Sequence, residues 1–82
     1  MARPIVVRAD WDAEAEVWVA VSPDVPALVT EASSIEALRT KLRTMLPELL
    51  ELDGITPDGD VQVELIAYAR DSIDMHAADS VG

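Results

Sequence analysis

Three short apolar runs open the chain, and each has the length and composition of a β-strand. Residues 5–7 are β-branched, residues 16–21 carry apolar groups at almost every position, and residues 28–32 form the third run. The polar residues between the first two runs predict a hairpin. Residues 22–26 predict a turn or an irregular crossing, because each of their two prolines fixes φ and lacks an N–H.

A longer segment with a period of three to four residues follows and predicts one helix. Ser33 with Glu36 three residues later forms a capping box that starts it. Pro47 predicts a kink or a break near Leu46, and Gly54 predicts the end of the helix. The apolar positions draw one stripe along a single side: Ile35, Leu38, Leu42, Met45, Leu49 and Leu52.

The last apolar run, residues 61–68, alternates at its start as a half-buried strand does. The predicted order is therefore β-β-β-α-β, an α+β fold in which one main helix packs on one face of an antiparallel sheet. From residue 71 the chain loses both its period and its apolar density. We expect a single domain over residues 1–70 and an acidic, disordered tail over residues 71–82.

The second face of this sheet needs a covering, since a lone helix covers only one face of a four-stranded sheet. The second strand is apolar on both sides, with valines on one and Trp18 and Ala20 on the other. An exposed apolar cluster on the second face would mark an interface between copies of the chain. We therefore predict a homo-oligomer whose interface includes these residues: Trp18, Ala20, Ile66 and Tyr68.

Composition and charge narrow the classes of partner. The chain has 82 residues and no cysteine, which excludes disulfides and thiolate metal sites. Its formal net charge of -10 disfavours nucleic acid and anionic membrane surfaces and favours a basic protein partner. The plainer alternative is that acidity keeps a small apolar protein soluble. No apolar segment is long enough to span a membrane, and no signal pattern opens the chain, so we expect the cytoplasm.

Candidate catalytic chemistry is sparse. The single histidine, His76, stands in the predicted tail, and no serine has a nearby base. Asp10 and Asp12 with Glu14 and Glu16 lack the glycine of a cation-binding loop, which favours a solvated hairpin end. The glycines form no phosphate-binding motif. The sequence therefore predicts a protein that is not an enzyme and that uses no cofactor and no metal.

Several segments together resemble a known group of proteins. They are residues 5–12, residues 15–20, residues 28–32, the Pro-Asp-Val-Pro turn at residues 23–26 and the cap and helix start at residues 33–38. In this combination the chain resembles a small uncharacterised bacterial domain-of-unknown-function family within the HicB-like antitoxin group. The chain has Ala27 where the wider group usually has glycine, so a positive φ at this position would require a rebuilt turn.

The resemblance implies a truncated ribonuclease-H-like fold without catalytic acids. HicB-like antitoxins bind a small basic ribonuclease toxin and block it, and many also carry a C-terminal DNA-binding domain. Only an acidic tail follows the fourth predicted strand here, so operator binding is not expected. Under this hypothesis the surface that contacts the toxin includes four acidic residues: Asp10, Asp12, Asp24 and Glu31.

Two functional hypotheses follow. The first is a non-catalytic, antitoxin-type binding module that neutralises a small basic ribonuclease. The second is an orphan structural or regulatory homo-oligomer without a toxin partner. The two are compatible, since an antitoxin can be an oligomer, and what separates them is the presence of a partner.

Overall fold

A computed structural model describes residues 4–54 and 59–75 of the chain. It has a small α+β fold with a four-stranded mixed sheet and one helix, which confirms the predicted fold class at this level. In chain order the elements are β1 (Ile5–Asp12), β2 (Val17–Val21), β3 (Val29–Ala32), α1 (Ile35–Leu52) and β4 (Val63–Tyr68).

The strands lie in the order β3-β2-β1-β4. β1 pairs with β2 and β2 pairs with β3 in antiparallel fashion, so the predicted hairpin is confirmed, whereas β4 pairs with β1 in parallel fashion. The prediction of a wholly antiparallel sheet is therefore wrong. The reason is the crossover, because α1 returns the chain to the end of the sheet where β3 began. β4 must then run in the direction of β3, which is also the direction of β1.

The core lies between α1 and one face of the sheet. Residues that stand opposite each other in the ladder share a face, and Ala9 stands opposite Ala20 while Trp11 stands opposite Trp18. Ala9 and Ala20 are fully buried, and Trp18 packs partly buried against the same cluster. The buried apolar residues are Val7, Ala9, Ala20, Val25, Leu28, Ala32, Leu38, Leu42, Leu46 and Leu50.

The helix begins one residue later than the capping box predicted. Ser34 is the N-cap, with an extended backbone and a side-chain oxygen that accepts a hydrogen bond from the Ala37 N–H at 3.1 Å. The assignment of the cap to Ser33 is therefore wrong, and so is the capping box, because Glu36 lies only two residues after Ser34 and a capping box needs its glutamate three residues after the cap. At the other end Gly54 has φ +76 and donates to the Glu51 carbonyl, which confirms the predicted stop.

The helix passes through Pro47 as a single element, so the predicted break does not occur. Pro47 is exposed, and the bond that it fails to make is the one to the Arg43 carbonyl. The buried line follows steps of four through Leu42, Leu46 and Leu50, whereas Leu52 of the predicted stripe is 82% exposed. Steps of four advance slightly more than one turn, so the line of contact drifts around the helix and leaves Leu52 in solvent.

Candidate protein-binding surface

The face of the sheet opposite α1 carries no other described element, and we call it the open face. Its central rows follow from the ladder register: Tyr68, Asp10, Val19 and Glu31 form one row across the four strands. The neighbouring row contains Ile66, Arg8, Val21 and Val29. Further residues of the same face, by strand alternation, are Val6, Asp12, Val17 and Glu64.

Apolar side chains are exposed across this face. Val29 is 66% exposed, Tyr68 is 52% exposed, and Ile66 and Val21 are close to 40% exposed. Val19, between them, is half-buried by its neighbours on the sheet. Several exposed apolar side chains on one face of so small a chain make this face a candidate site of interaction with another macromolecule.

Two carboxylates flank the apolar centre in a single row. Asp10 and Glu31 stand on either side of Val19, on strands one place removed from β2 in each direction. Because neighbouring strands are about 4.8 Å apart, their backbones lie roughly 10 Å from each other. The Glu31 side chain is exposed, and its backbone carbonyl accepts a hydrogen bond from the Lys41 ammonium at 2.5 Å. The spacing suits two separate cationic groups of a partner.

Arg8 is the single cation in these rows. Its Nε lies 3.3 Å from Asp10 Oδ2, and its guanidinium carbon lies 4.6 Å from the centroid of the Tyr68 ring. Both members of the ion pair are about half exposed, so solvent weakens the pair to somewhere between zero and about 1 kcal/mol. An incoming cation can therefore compete with Arg8 for Asp10 at small cost. Arg70 lies beside Arg8 and Asp10 just beyond β4. The face also carries Asp12, Glu31 and Glu64, so its carboxylates still outnumber its cations.

The predicted partner-binding residues divide into two groups. Asp10 and Glu31 face outward on the open face. Asp12 and Asp24 have local structural roles, because Asp12 Oδ1 accepts from two hairpin N–H groups at 3.1 and 3.2 Å. Asp24 Oδ2 accepts from the Val6 N–H at 2.9 Å and ties the β2–β3 connection to β1. A contact of any of the four with a partner stays a prediction.

The predicted oligomer interface also divides. Trp18 and Ala20 lie on the helix side of the sheet, with the Trp18 ring 5.2 Å from the Trp11 ring and Ala20 fully buried. Ile66 and Tyr68 lie on the open face. The prediction that these four residues share one face is therefore wrong. The prediction failed because β2 is apolar on both sides, so the alternation of side chains alone does not show which side packs against the helix.

The sequence reasoning missed two features of this region. The Ser22 hydroxyl is buried, donates to the Val6 carbonyl at 2.6 Å and accepts from the Asp24 and Val25 N–H groups. The Ser-Pro-Asp order is a turn signal that could have indicated it. The valines of the open face were assigned to no site, although their strict alternation along β2 is visible in the sequence.

Within residues 4–54 and 59–75, no group of three or more histidine, aspartate or glutamate side chains is placed to hold a metal ion. His76 lies outside the described residues. In the same part of the chain, no helix has the length and apolar character that crossing a membrane requires.

The fold and the open face define a small α+β protein with one helix-covered and one uncovered sheet face. The chain belongs to the family described as domain of unknown function DUF1902, whose model matches residues 4–77. It is similar to the solved structure of the hypothetical protein TTHA1013 from the extremely thermophilic bacterium Thermus thermophilus, at 47% identity and a TM-score of 0.67. That match covers 88% of this chain and 99% of the other. None of the curated proteins with which the sequence was compared matches it.

Proposed function

We propose that the chain is a non-catalytic binding module whose open face engages a small basic protein and neutralises it, as HicB-like antitoxins neutralise a ribonuclease toxin. The observation that carries the proposal is the row in which Asp10 and Glu31 flank Val19, next to the exposed Val21 and Val29 of the neighbouring row. The apolar residues supply the contact area that affinity requires. The carboxylates select a cationic partner and speed the encounter.

A ribonuclease is the favoured partner because an acidic protein bound to its cationic side chains would block RNA binding. A small ribonuclease holds its substrate through lysine and arginine side chains that contact phosphates. An acidic surface on those same side chains competes directly with RNA. The resemblance of residues 23–26 and 33–38 to the HicB-like group supports this choice, as does a truncated ribonuclease-H-like reading of the fold. The proposal includes the cytoplasm as the place where the complex forms.

The second candidate is a homo-oligomer with a structural or regulatory role and no toxin partner. It is favoured by Ile66 and Tyr68, which are apolar and exposed on β4 at one edge of the sheet. In this reading the acidity of the chain serves only its solubility.

Neutralising the two flanking carboxylates tests the first proposal. We expect the double variant Asp10→Asn, Glu31→Gln to bind the basic ribonuclease encoded beside the gene at least about tenfold more weakly. The dependence of binding on salt should also flatten, because two charges of the contact are gone. Isothermal titration at low and high salt measures both effects.

The matched control is Glu48→Gln, Asp53→Asn, which removes the same charge from exposed positions within α1 and at its C-cap, on the far side of the sheet. We expect this control to change the dissociation constant by less than about twofold, since distant exposed charges are screened. Equal weakening by both variants would show that net charge alone, and not the open face, drives binding. Absence of a basic partner beside the gene, with no rescue of growth on co-expression, would favour the homo-oligomer.

A further inference from the structure

One edge of the sheet has backbone groups that no described residue uses. The Ile5 N–H donates to the Gln62 carbonyl at 2.9 Å, so Gln62 turns its backbone groups toward β1. In a strand the N–H and C=O of successive residues point to alternate sides. Val63, Leu65 and Ala67 therefore direct their N–H and C=O groups away from β1, to the free edge of β4.

The two edges of the sheet differ in how they are protected. β3 at the far edge has only four residues, and the Lys41 ammonium occupies the Glu31 carbonyl. Short length and lysine are the usual means by which proteins block strand addition at an edge. β4 has six residues, a single charged residue in Glu64, and side chains exposed at every position except the half-buried Leu65. An edge of this kind is a site of strand pairing.

We propose that a second copy of the chain pairs with this edge, β4 against β4, to give one continuous sheet across a twofold axis. Two copies of one strand related by such an axis run antiparallel, and residues opposite each other must share a face. The register that uses every edge-facing group sets Leu65 opposite Leu65 of the second copy. It sets Val63 opposite Ala67 and Glu64 opposite Ile66, so the two Glu64 carboxylates do not face each other.

A groove beside β4 supports a second copy as the occupant. The space between α1 and β4 measures about 630 Å³ and is lined by apolar residues of both elements, among them Leu46, Leu50 and Leu65. Arg39 and Arg43 line it together with Glu51 and Asp60, so the groove is electrically balanced within a chain of net charge -10. It therefore does not repel an acidic segment as the rest of the chain does.

The antiparallel register brings such a segment to the groove. Residues 69–75 leave the end of β4, and in this register Ala69 and Arg70 would lie beside Val61 and Asp60 of the second copy, which line its groove. This segment carries Ile73 and Met75, which are 77% and 66% exposed in the single chain. Pairing through β4 thus brings the start of this segment to the edge of the groove, and each copy does the same for the other. The open face stays free, so this inference does not depend on the proposed toxin.

A single cysteine tests the register, because the natural chain has none. In a hydrogen-bonded antiparallel pair the Cα atoms are about 5.5 Å apart, within the span of about 4.4–6.8 Å that a disulfide bridges. We expect Leu65→Cys to form a covalent dimer under mild oxidation at micromolar protein, seen on a non-reducing gel. Val29→Cys, exposed on the opposite edge strand, is the control and should form little covalent dimer on the same gel.

The unmodified chain supplies the second measurement. Sedimentation equilibrium should give a dimer, and Ala67→Pro should weaken it at least about tenfold, because proline removes an edge-facing N–H without touching the bonds to β1. Val29→Pro makes the corresponding change on β3 and should leave the dimer intact. A monomer at all concentrations, or a dimer in which Val29→Cys cross-links and Leu65→Cys does not, would overturn the proposal.

Discussion

Replacing Leu38 with alanine is expected to destabilise the chain by about 3 kcal/mol. Leu38 is fully buried at the centre of the cluster between α1 and the sheet, so its loss removes apolar contacts and leaves a cavity. A domain of this size has a small core and a total stability near the lower end of the range of about 5–15 kcal/mol. Urea denaturation followed by circular dichroism should therefore show a large part of that stability lost.

The control for Leu38 lies on the same helix. Leu52→Ala changes the same side chain at a position that is 82% exposed, and we expect the free energy of unfolding to change by less than about 0.5 kcal/mol. Equal effects at the two positions would mean that the helix is rotated relative to the sheet. A larger effect at Leu52 would support the buried helix face that the sequence alone predicts, which includes Leu52.

Trp18→Glu is expected to leave the chain unfolded at neutral pH. Trp18 lies on the helix side of the sheet, packs against the core and contacts the Trp11 ring. A glutamate there would remove the ring from the core and place a carboxylate against an apolar layer, at a cost of several kcal/mol. Far-ultraviolet circular dichroism and sedimentation together measure whether the variant is folded and in which assembly.

Tyr68→Glu is the matched change on the other face. Tyr68 is 52% exposed on the open face, so this variant should keep its secondary structure and lose only the contact with the Arg8 guanidinium. A Trp18→Glu variant that stays folded as a monomer would contradict the assignment of Trp18 to the helix side. It would instead support the interface that the sequence predicts at this residue.

Local signals in the sequence predicted the elements well. The β-branched runs became strands, the polar residues between the first two runs became a hairpin, and Gly54 ended the helix with a positive φ. Each of these features depends on residues within a few positions of one another. For that reason the sequence carries them without knowledge of the tertiary structure.

Features set by the arrangement of elements were not predictable in the same way. β2 has apolar groups on both sides, so only the position of α1 decides that Ala20 is buried and Val21 exposed. The direction of β4 depends on which edge of the sheet the helix crosses to. β4 is short and mostly exposed, so its residue pattern does not distinguish parallel from antiparallel pairing, and the antiparallel prediction therefore failed there.

In the candidate site, too, local features were predictable from the sequence and features set by the fold were not. Four acidic residues look equivalent in the sequence, yet Asp24 binds the Val6 N–H across 18 positions of chain. Asp12 is drawn into the hairpin by two N–H groups that follow it. Asp10 and Glu31 come together only through the strand register, which no local signal fixes. A binding surface on a sheet therefore requires the fold before its residues can be chosen.

A tagged pull-down from the native cell, with the gene in its own genomic context, tests most directly whether the chain binds a small basic protein. We expect recovery of a small basic protein in stable proportion to the chain, and this protein should degrade RNA once separated from it. Recovery of the chain with itself alone would contradict the binding-module proposal and would favour the homo-oligomer without a toxin partner.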